Sequence, residues 1–169
     1  MDTDAAQKIT VYTVGHSDHT TEAFLALLQQ HGIALVADVR SQPYSQWVPQ
    51  FNRENLMRDL QDAGIRYVFL GDSLGGRPKD RRFYDPGEEH PNYARLASSP
   101  DYLAGIEQLL QLAAQERVAI LCSEGDHHRC HRGLLITPTL LARGARVLHI
   151  APDGTVVDAE AEPKQLTFL

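Results

Sequence analysis

Residues 122–132 contain the densest set of reactive side chains in this 169-residue chain. Both of its cysteines, Cys122 and Cys130, fall within these eleven positions, together with three of its eight histidines and two arginines. A thiolate is a strong nucleophile and a soft metal ligand, and an imidazole is both a proton carrier and a metal ligand. The segment therefore predicts thiol chemistry or metal binding. The remaining alternative is structural, with Cys122 as a small buried side chain at the end of a strand.

In the thiol interpretation, Cys122 is the nucleophile. Glu124 and His16 are the candidate proton-transfer groups, because a carboxylate or an imidazole near a thiol can carry its proton. Cys130 is the candidate resolving thiol. We expect the carboxylates of Glu124 and Asp126 to oppose formation of a thiolate at Cys122, since like charges disfavour each other. That expectation argues against a phosphatase or a simple sulfurtransferase.

In the metal interpretation, Cys122, Cys130 and His131 are three of the ligands, and His16 or His127 is the fourth. Sulfur and imidazole ligands in a tetrahedral set suit zinc or iron. The spacing is unusual, because compact zinc sites open with two ligands that lie two to four residues apart, whereas Cys122 and Cys130 are eight residues apart. Only the fold can bring such ligands together.

The elements around this segment predict its position. An apolar, partly β-branched run at residues 117–121 predicts a buried strand, and residues 134–141 predict a helix that is closed by Gly144. Pro138 is expected to kink that helix or to mark its start. Residues 122–132 thus lie on a strand-to-helix loop, where ligands and catalytic groups collect in parallel α/β sheets.

The same alternation of strands and helices runs through the rest of the chain. Helix starts are predicted at Thr20 or Thr21, Asn52 and Ser99, whose side chains can cap a helix, and a short extended run is predicted at residues 155–157. Repeated strand–helix–strand units predict a single α/β domain with a mostly parallel sheet of about five strands and helices on both faces. The predicted strands are residues 9–14, 34–39, 66–70, 117–121 and 146–150.

In such a sheet, the carboxyl ends of the strands gather residues that are far apart in the sequence. Arg40 and Arg132 would clamp an anionic ligand at this edge, and two adjacent glycines would let the backbone approach it. An alternative for Asp38 and Arg40 is a buried ion pair that ties loops together. The candidate ligand-binding residues are Ser17, Asp38, Arg40, Gly75, Gly76 and Arg132.

The size and composition of the chain limit the classes of protein it can be. A length of 169 residues with 43% hydrophobic residues suits one domain over residues 1–169, and residues 1–8 are predicted to be a flexible N-terminus. Residues 1–8 lack the pattern of a secretory signal, and no run approaches the ~20 apolar residues of a membrane span. With two cysteines and no export signal, we expect a cytoplasmic protein with reduced thiols.

The charge distribution bears on the partner. A net charge of −6 argues against a protein that coats nucleic acid. Residues 77–82 are nevertheless basic, with four cations opposed by Asp80, and aromatic residues lie in the neighbouring loops. A small polar, anionic or nucleotide-like ligand is the expected partner, and a nucleic-acid or nucleotide-binding module without catalysis is the alternative. Trp47 lies between prolines and is predicted to anchor its loop by burial.

Five separated blocks of sequence resemble the signature of the DUF488 family. These blocks span nearly the whole chain, and together they are far more specific than a single glycine loop. The resemblance implies a compact α/β domain, and the biochemical activity of the family is not established. The blocks are Gly15-His16-Ser17, Asp38-Val39-Arg40-Ser41 with Pro43 and Ser45, residues 49–53, Leu74-Gly75-Gly76, and Cys122-x-Glu124 with Cys130-His131-Arg132.

A weaker resemblance is to rhodanese-like domains, which carry an Asp-x-Arg after an early strand and a cysteine on a strand-to-helix loop. Asp38, Arg40 and Cys122 match that pattern. In such loops, backbone N–H groups and an arginine wrap an anion and lower the pKa of the thiol. The resemblance implies an anion-binding loop after Cys122, in which Arg129 is the next arginine.

Overall fold

The computed structural model describes residues 8–161, which form a six-stranded sheet with helices on both faces. The order across the sheet is β3-β2-β4-β1-β5-β6, with β1 to β5 parallel and β6 antiparallel to β5. The predicted α/β class is confirmed, with one more strand than the five expected. The strands are β1 Thr10–Gly15, β2 Leu35–Asp38, β3 Arg66–Phe69, β4 Val118–Cys122, β5 Arg146–Ile150 and β6 Val156–Asp158.

Six α-helices are present in the described residues. None of them has both the length and the apolar character that a bilayer crossing needs. The predicted flexible N-terminus at residues 1–8 falls outside the described residues, except for Lys8, which forms an ion pair with Glu160. The helices are α1 Thr21–Gln30, α2 Arg53–Asp62, α3 Gly71–Leu74, α4 Tyr93–Ala97, α5 Pro100–Gln115 and α6 Thr137–Ala142.

Two apolar layers hold the helices to the sheet. One layer joins Phe24 of α1 and Leu56 of α2 to Val36 of β2. The other joins Ile106 of α5 and helix α6 to the opposite face of the sheet. Side chains in each strand alternate between these layers because successive residues of a strand point to opposite faces. All five residues of β4 are buried, as expected for a central parallel strand.

The three predicted helix starts differ in how they are capped. Thr20 caps α1 through its side chain, which accepts a hydrogen bond from the backbone amide of Ala23 at 3.1 Å. Asn52 precedes α2, but its side chain instead accepts a hydrogen bond from the Ser45 amide. Ser99 precedes α5 without a side-chain cap, and Pro100 occupies the first helical position, where no backbone donor is needed.

Pro138 marks the start of α6. The chain leaves residues 122–132 through a π-helical turn, Arg132–Ile136, and α6 begins at Thr137. Pro138 then lies in the first turn of α6, where its missing N–H leaves no hydrogen bond unmade. The Thr137 hydroxyl donates to the backbone carbonyl of Arg132 at 2.5 Å and closes the turn. The widened turn fixes the residues that follow Cys130.

Strand β4 lies where the direction of the connections changes. Its neighbours β1 and β2 are followed by α1 and α2, which pack on one face, whereas β4 is followed by α6, which packs on the other. Such a change opens a crevice outside the carboxyl ends of the strands. Cys122 is the last residue of β4 and therefore lies at this crevice.

Candidate active site

The carboxyl ends of β1, β2 and β4 bring three of the predicted blocks together. Gly15 pairs with Cys122, and Asp38 pairs with Leu121. The register continues past the strand ends, because the His16 amide donates to the Cys122 carbonyl at 3.1 Å and the Ser17 amide donates to the Ser123 carbonyl at 2.8 Å. The topology thus produces the convergence that the sequence predicts.

The Cys122 sulfur is buried and surrounded by hydrogen-bond donors. A hydrogen bond from Cys130 is the main cause that lowers the pKa of Cys122 well below that of an ordinary thiol, against the opposing effect of burial. The side chain of His131 and the backbone amide of Glu124 lower it further. These groups together favour a thiolate at Cys122.

The expectation that nearby acids suppress this thiolate is wrong. The Glu124 residue is exposed, and its backbone amide is the group that contacts the sulfur. The carboxylate of Asp126 accepts hydrogen bonds from the backbone and the ring of His128, at 2.9 Å each. Closeness in the sequence therefore predicted the wrong direction for the pKa of Cys122. The backbone of the loop faces the sulfur, and its acidic side chains do not.

Cys130 is the protonated member of the sulfur pair. The hydrogen bond to Cys122, followed by burial, raises the pKa of Cys130 above its usual value. The opposite directions of the two pKa values favour a hydrogen bond in which Cys130 is the donor and Cys122 the acceptor. Both cysteines are free thiols and both are buried. The contact between the two side chains agrees with the predicted resolving role of Cys130, in which its thiol attacks an oxidised Cys122.

His131 is oriented by a backbone carbonyl. Its Nε2 lies 3.0 Å from the carbonyl oxygen of Val39, and a carbonyl only accepts, so Nε2 carries a proton. The Nδ1 atom is then the ring nitrogen that can take a proton from the thiol of Cys122. A thiol and an imidazole arranged in this way are the elements of an activated cysteine nucleophile.

The glycine pair predicted to approach a ligand packs against this site. A Cβ atom on Gly76 would lie 2.7 Å from Cγ and 2.9 Å from Nδ1 of His131, and one on Gly75 would lie 2.3 Å from the Ser41 hydroxyl. The Ser41 hydroxyl also accepts a hydrogen bond from the Arg77 amide at 2.9 Å. The absence of side chains at these glycines lets the loop lie against the histidine ring.

The sulfur pair opens into a cavity of about 380 Å³. Among residues 8–161, three arginines line it, namely Arg40, Arg77 and Arg129, whereas Glu124 is the one carboxylate of this part of the chain in its lining. Tyr93 also lines it, and burial raises the pKa of this phenol, followed by the effects of the two cysteines. An excess of positive charge beside a thiolate suits an anionic ligand.

A larger cavity, of about 550 Å³, lies on the other side of Arg77. Its cations are balanced by three carboxylates, those of Asp72, Asp80 and Asp101. The cysteines and the histidines of the chain are outside its lining. The smaller cavity is therefore the candidate active site, because it combines a reactive group with a net charge.

The Asp38 and Arg40 pair forms a closed buried network. The two side chains are joined by two hydrogen bonds of 2.8 Å each, and Asp38 also accepts from the Arg40 amide and from the Tyr67 hydroxyl at 2.6 Å. Arg40 donates in addition to the Phe51 carbonyl at 2.8 Å. The pair therefore connects neighbouring loops through a buried ion pair, which is the alternative that the sequence analysis left open. One edge of the Arg40 side chain remains at the cavity wall.

His16 lies beside this network and outside the cavity lining. Its ring is buried and stacks on Phe51 at a centroid distance of 4.6 Å, and its Nδ1 donates to the Ser17 carbonyl at 2.8 Å. Burial is the main cause that lowers the pKa of His16. A neutral, stacked imidazole in this position stabilises the loop that follows β1.

Arg132 and Ser17 lie on the far side of the loop that follows Cys122. Arg132 is fully buried and donates to the Thr13 hydroxyl at 2.6 Å and to the carbonyls of Glu124 and Gly125 at 2.9 and 3.0 Å. Ser17 has a positive φ of 48°, which an L-residue seldom adopts. The structure thus places Arg132 as a support that shapes the loop, with the Glu124 amide turned towards the sulfur.

The predicted metal set of Cys122, Cys130 and His131 stays a prediction. Cys122 contacts both of the other side chains. His127, one of the two predicted fourth ligands, stacks instead on His149. His16, the other, donates its Nδ1 proton to a backbone carbonyl.

The basic and aromatic loops differ from expectation in part. Arg82 pairs with Asp80 at 2.7 Å, and Arg81 lies over the Tyr84 ring at 4.2 Å, so part of this basic surface is already engaged. The prediction that Trp47 anchors its loop by burial is wrong, because Trp47 is 83% exposed. The Ser45 hydroxyl, which accepts from the Trp47 amide at 3.0 Å, shapes this loop instead.

Sequence reasoning missed several groups at this site. His131 was predicted only as a metal ligand, and Gln42 and His90 were given no place in the cavity, whereas Tyr93 was among the loop aromatics expected near a ligand. The contact of His131 with Cys122 follows from the turn after Cys130, whose π-helical form has no clear sequence signal. The basic run after the glycine pair, which carries Arg77, was the signal for one further part of the cavity wall.

The fold and the site define a class, a single α/β domain with a thiol pair at the crevice beside its central strand. The model of the family described as Domain of unknown function DUF488 matches residues 20–137, which is more than half of the chain. The chain therefore belongs to the DUF488 family. No curated protein and no solved structure matches it at a significant level.

Proposed function

We propose that this protein is a thiol-dependent enzyme that acts on a small anionic or nucleotide-like substrate through Cys122. The observation that carries the proposal is the surroundings of the Cys122 sulfur, which combine donors that lower its pKa with a cavity lined by three arginines. A lowered thiol pKa at a partly open, electropositive site is typical of reactive cysteines. Structural cysteines lie instead in apolar surroundings that raise the pKa.

His131 takes the proton-transfer role in this proposal, in place of Glu124 and His16. In the resting state it holds the Cys122 proton on Nδ1, while Val39 fixes the ring through Nε2. The thiolate attacks the electrophilic atom of the substrate and forms a bond to it, and the bond to the leaving group breaks. The leaving group departs with that electron pair and takes the proton from Nδ1.

The second step restores the thiolate. Water or a small-molecule thiol attacks the same atom, and its proton passes to Nδ1 of His131. The bond between that atom and Cys122 breaks, and its electron pair returns to the sulfur. Throughout the cycle, Cys130 donates its hydrogen bond to the Cys122 sulfur and makes it a better leaving group.

The substrate class follows from charge and size. Arg77 and Arg129 are exposed at the cavity and are suited to an anionic group, and the Glu124 amide adds a backbone donor, as the rhodanese-like resemblance implies. A cavity of about 380 Å³ is at the lower end of the range for small-molecule sites. We place the enzyme in the cytoplasm, because a reducing compartment keeps both thiols free.

Competing alkylation by a charged and a neutral reagent tests the proposal. Iodoacetate is anionic and iodoacetamide is neutral, and mass spectrometry of the peptides reports which cysteine reacts. At pH 6.5 and low salt, Cys122 should react before Cys130. The ratio of iodoacetate to iodoacetamide rates at Cys122 should exceed the ratio in the urea-unfolded chain by about tenfold, since a positive cleft concentrates anions.

Two variants locate the source of that preference. Arg77→Ala with Arg129→Ala should remove most of the preference for iodoacetate, whereas Arg58→Ala, on the exposed surface of α2, should leave it unchanged. Inorganic phosphate should protect Cys122 in the wild-type chain. A Cys122 that stays unmodified in the native protein, or that shows the ratio of the unfolded chain, would contradict the proposal.

A further inference from the structure

A third cavity, of about 440 Å³, lies on the opposite side of the loop that follows Cys122. It is lined by Asp126, His127, His128 and His149, and Ser17 lies at its edge. Ligand atoms of Asp126, His127 and His128 all lie within 4.8 Å of one another. Imidazole nitrogen and carboxylate oxygen are ligands that zinc and other divalent transition metals bind.

His127 is fixed by the ring beneath it. Its ring stacks on that of His149 with centroids 3.6 Å apart and planes 9° apart. The Nδ1 of His149 lies 2.7 Å from the Thr13 hydroxyl, which itself accepts a hydrogen bond from Arg132. The hydroxyl therefore donates to Nδ1, and His149 is a neutral ring whose pKa burial lowers to about 3. His127 thus lies on a neutral aromatic surface.

The turn that carries the three residues is held in place from below. Residues His127–Arg129 form a 3₁₀ turn that is capped by the Asp126 side chain. A Cβ atom on Gly133 would lie 1.9 Å from the His127 carbonyl oxygen, so the turn packs directly on the backbone of the π-helical turn. The positions of His127 and His128 are therefore set by the backbone of the fold, although His128 and Asp126 are about half exposed.

The hydrogen bond between His128 and Asp126 places a proton where a metal ion would bridge the two side chains. Nδ1 of His128 lies 2.9 Å from Oδ1 of Asp126, and the carboxylate accepts this proton. In a tetrahedral zinc site with bonds of 2.0–2.2 Å, two ligand atoms lie about 3.3 Å apart. Nδ1 of His128 and Oδ1 of Asp126 would therefore have to separate only slightly to bind zinc together. The ring of His127, 4.0 Å from that of His128, supplies the third ligand.

We propose that Asp126, His127 and His128 bind a zinc-type divalent transition metal ion, with a further coordination position open to the cavity. The site is separate from the thiol pair, and it uses two histidines that lie outside the family blocks of the sequence. Metal binding displaces the proton on Nδ1 of His128, which a neutral ring carries on Nε2 instead, and binding weakens in acid because protons compete with the metal for the imidazole nitrogens.

Titration of the untagged, reduced full-length chain with Zn²⁺ and Co²⁺ tests the site. Isothermal titration calorimetry at pH 7.5 should show one equivalent of tight binding, and the affinity should fall in acid, where protons compete for the two imidazoles. Asp126→Asn and His128→Ala should each weaken binding at least tenfold. His90→Ala removes another exposed histidine, at the thiol cavity, and should leave the affinity unchanged.

The visible spectrum of bound Co²⁺ separates this site from the cysteines. Nitrogen and oxygen ligands give no thiolate-to-cobalt charge-transfer band, and Cys122→Ser should retain full binding. A thiolate band that disappears in Cys122→Ser would move the metal to the thiol pair and overturn the proposal. So would the absence of binding, or an affinity that Asp126→Asn and His128→Ala leave unchanged. Circular dichroism of each variant establishes that it remains folded.

Discussion

Asp38 and Cys122 end neighbouring strands, yet they belong to two different kinds of buried site. The Asp38 carboxylate accepts hydrogen bonds from the side chain and amide of Arg40 and from Tyr67, and it is fully buried. The Cys122 sulfur also receives several hydrogen bonds, but it lines an open cavity and its main donor is another thiol. The two side chains point to opposite faces, because Asp38 pairs with Leu121 and Cys122 is the next residue.

The comparison shows how burial alone misleads as a guide to function. A charged group that is completely surrounded by partners connects parts of the fold, and it has no free hydrogen-bonding position for a ligand. A charge that is stabilised from one side and open on the other can react. Asp38 therefore serves as a support for the loops that carry Arg40 and Ser41, whereas Cys122 is the reactive group of our proposal.

Asp38→Asn should give the largest change in stability. It leaves the buried Arg40 without a counter-charge, and breaking a buried pair in this way costs about 3–5 kcal/mol. Chemical denaturation measures the loss. Asp80→Asn breaks an exposed pair with Arg82 and should leave the unfolding midpoint unchanged. A folded Asp38→Asn chain should still alkylate Cys122 at the wild-type rate, and wild-type stability of this variant would contradict the assigned role.

Tyr67→Phe should weaken the same network by less. The Tyr67 hydroxyl donates to Asp38 at 2.6 Å, and burial, with Asp38 as a further cause, raises the pKa of this phenol. Loss of one hydrogen bond to a charged group costs about 1.5–3 kcal/mol, because Arg40 still compensates the carboxylate. Thermal unfolding measures the change, with the exposed Tyr44→Phe as the control. Equal stability of the two variants would remove Tyr67 from the network.

Cys130→Ala should raise the pH midpoint of Cys122 alkylation by about one unit, and it should slow alkylation about tenfold at pH values below the wild-type midpoint. The variant removes the principal donor to the sulfur, and a rise of one unit in the pKa of Cys122 lowers the thiolate fraction tenfold. Cys130→Ser keeps a donor in the same place and should lose much less. Identical rates for alanine and serine would show that the second sulfur does not act through a hydrogen bond.

His131→Asn should have a smaller effect on the same rate, about threefold, because the contribution of His131 to the lowered pKa of Cys122 ranks below that of Cys130. Gly76→Ala provides an independent test, since its added methyl group would displace the His131 ring without removing it. Both variants should shift the pH midpoint of Cys122 alkylation upwards. A midpoint that neither variant moves would separate His131 from the thiol.

The sequence was sufficient to predict most of the architecture. Strand β5 matches its predicted range of residues 146–150, and β4 is displaced by one residue from its own, because their apolar runs are short and bounded by turns. The position of Cys122 at the end of a central strand followed from the same pattern. The short helices α3 and α4 lie in or just after a segment without periodicity, so no pattern could predict them.

The chemistry of the site was less predictable. The prediction of Cys122 as the reactive group rests on residue types, but the direction of its pKa depends on which atoms face the sulfur. A backbone amide of Glu124 and a thiol of Cys130 determine that direction, and neither is visible in the order of the residues. The role of Arg132 was also hard to predict. Its charge suggested a contact with a ligand, whereas the structure buries it under the loop that follows Cys122.

The pH dependence of Cys122 alkylation tests the central claim most directly. Iodoacetamide is added to the native chain across pH 4–9, and the modified peptides are quantified by mass spectrometry. Our account predicts a midpoint for Cys122 well below the ordinary thiol value of about 8.5, a constant rate from neutral pH upwards, and a Cys130 that reacts more slowly at every pH. A midpoint at or above the ordinary value, or faster reaction at Cys130, would contradict it.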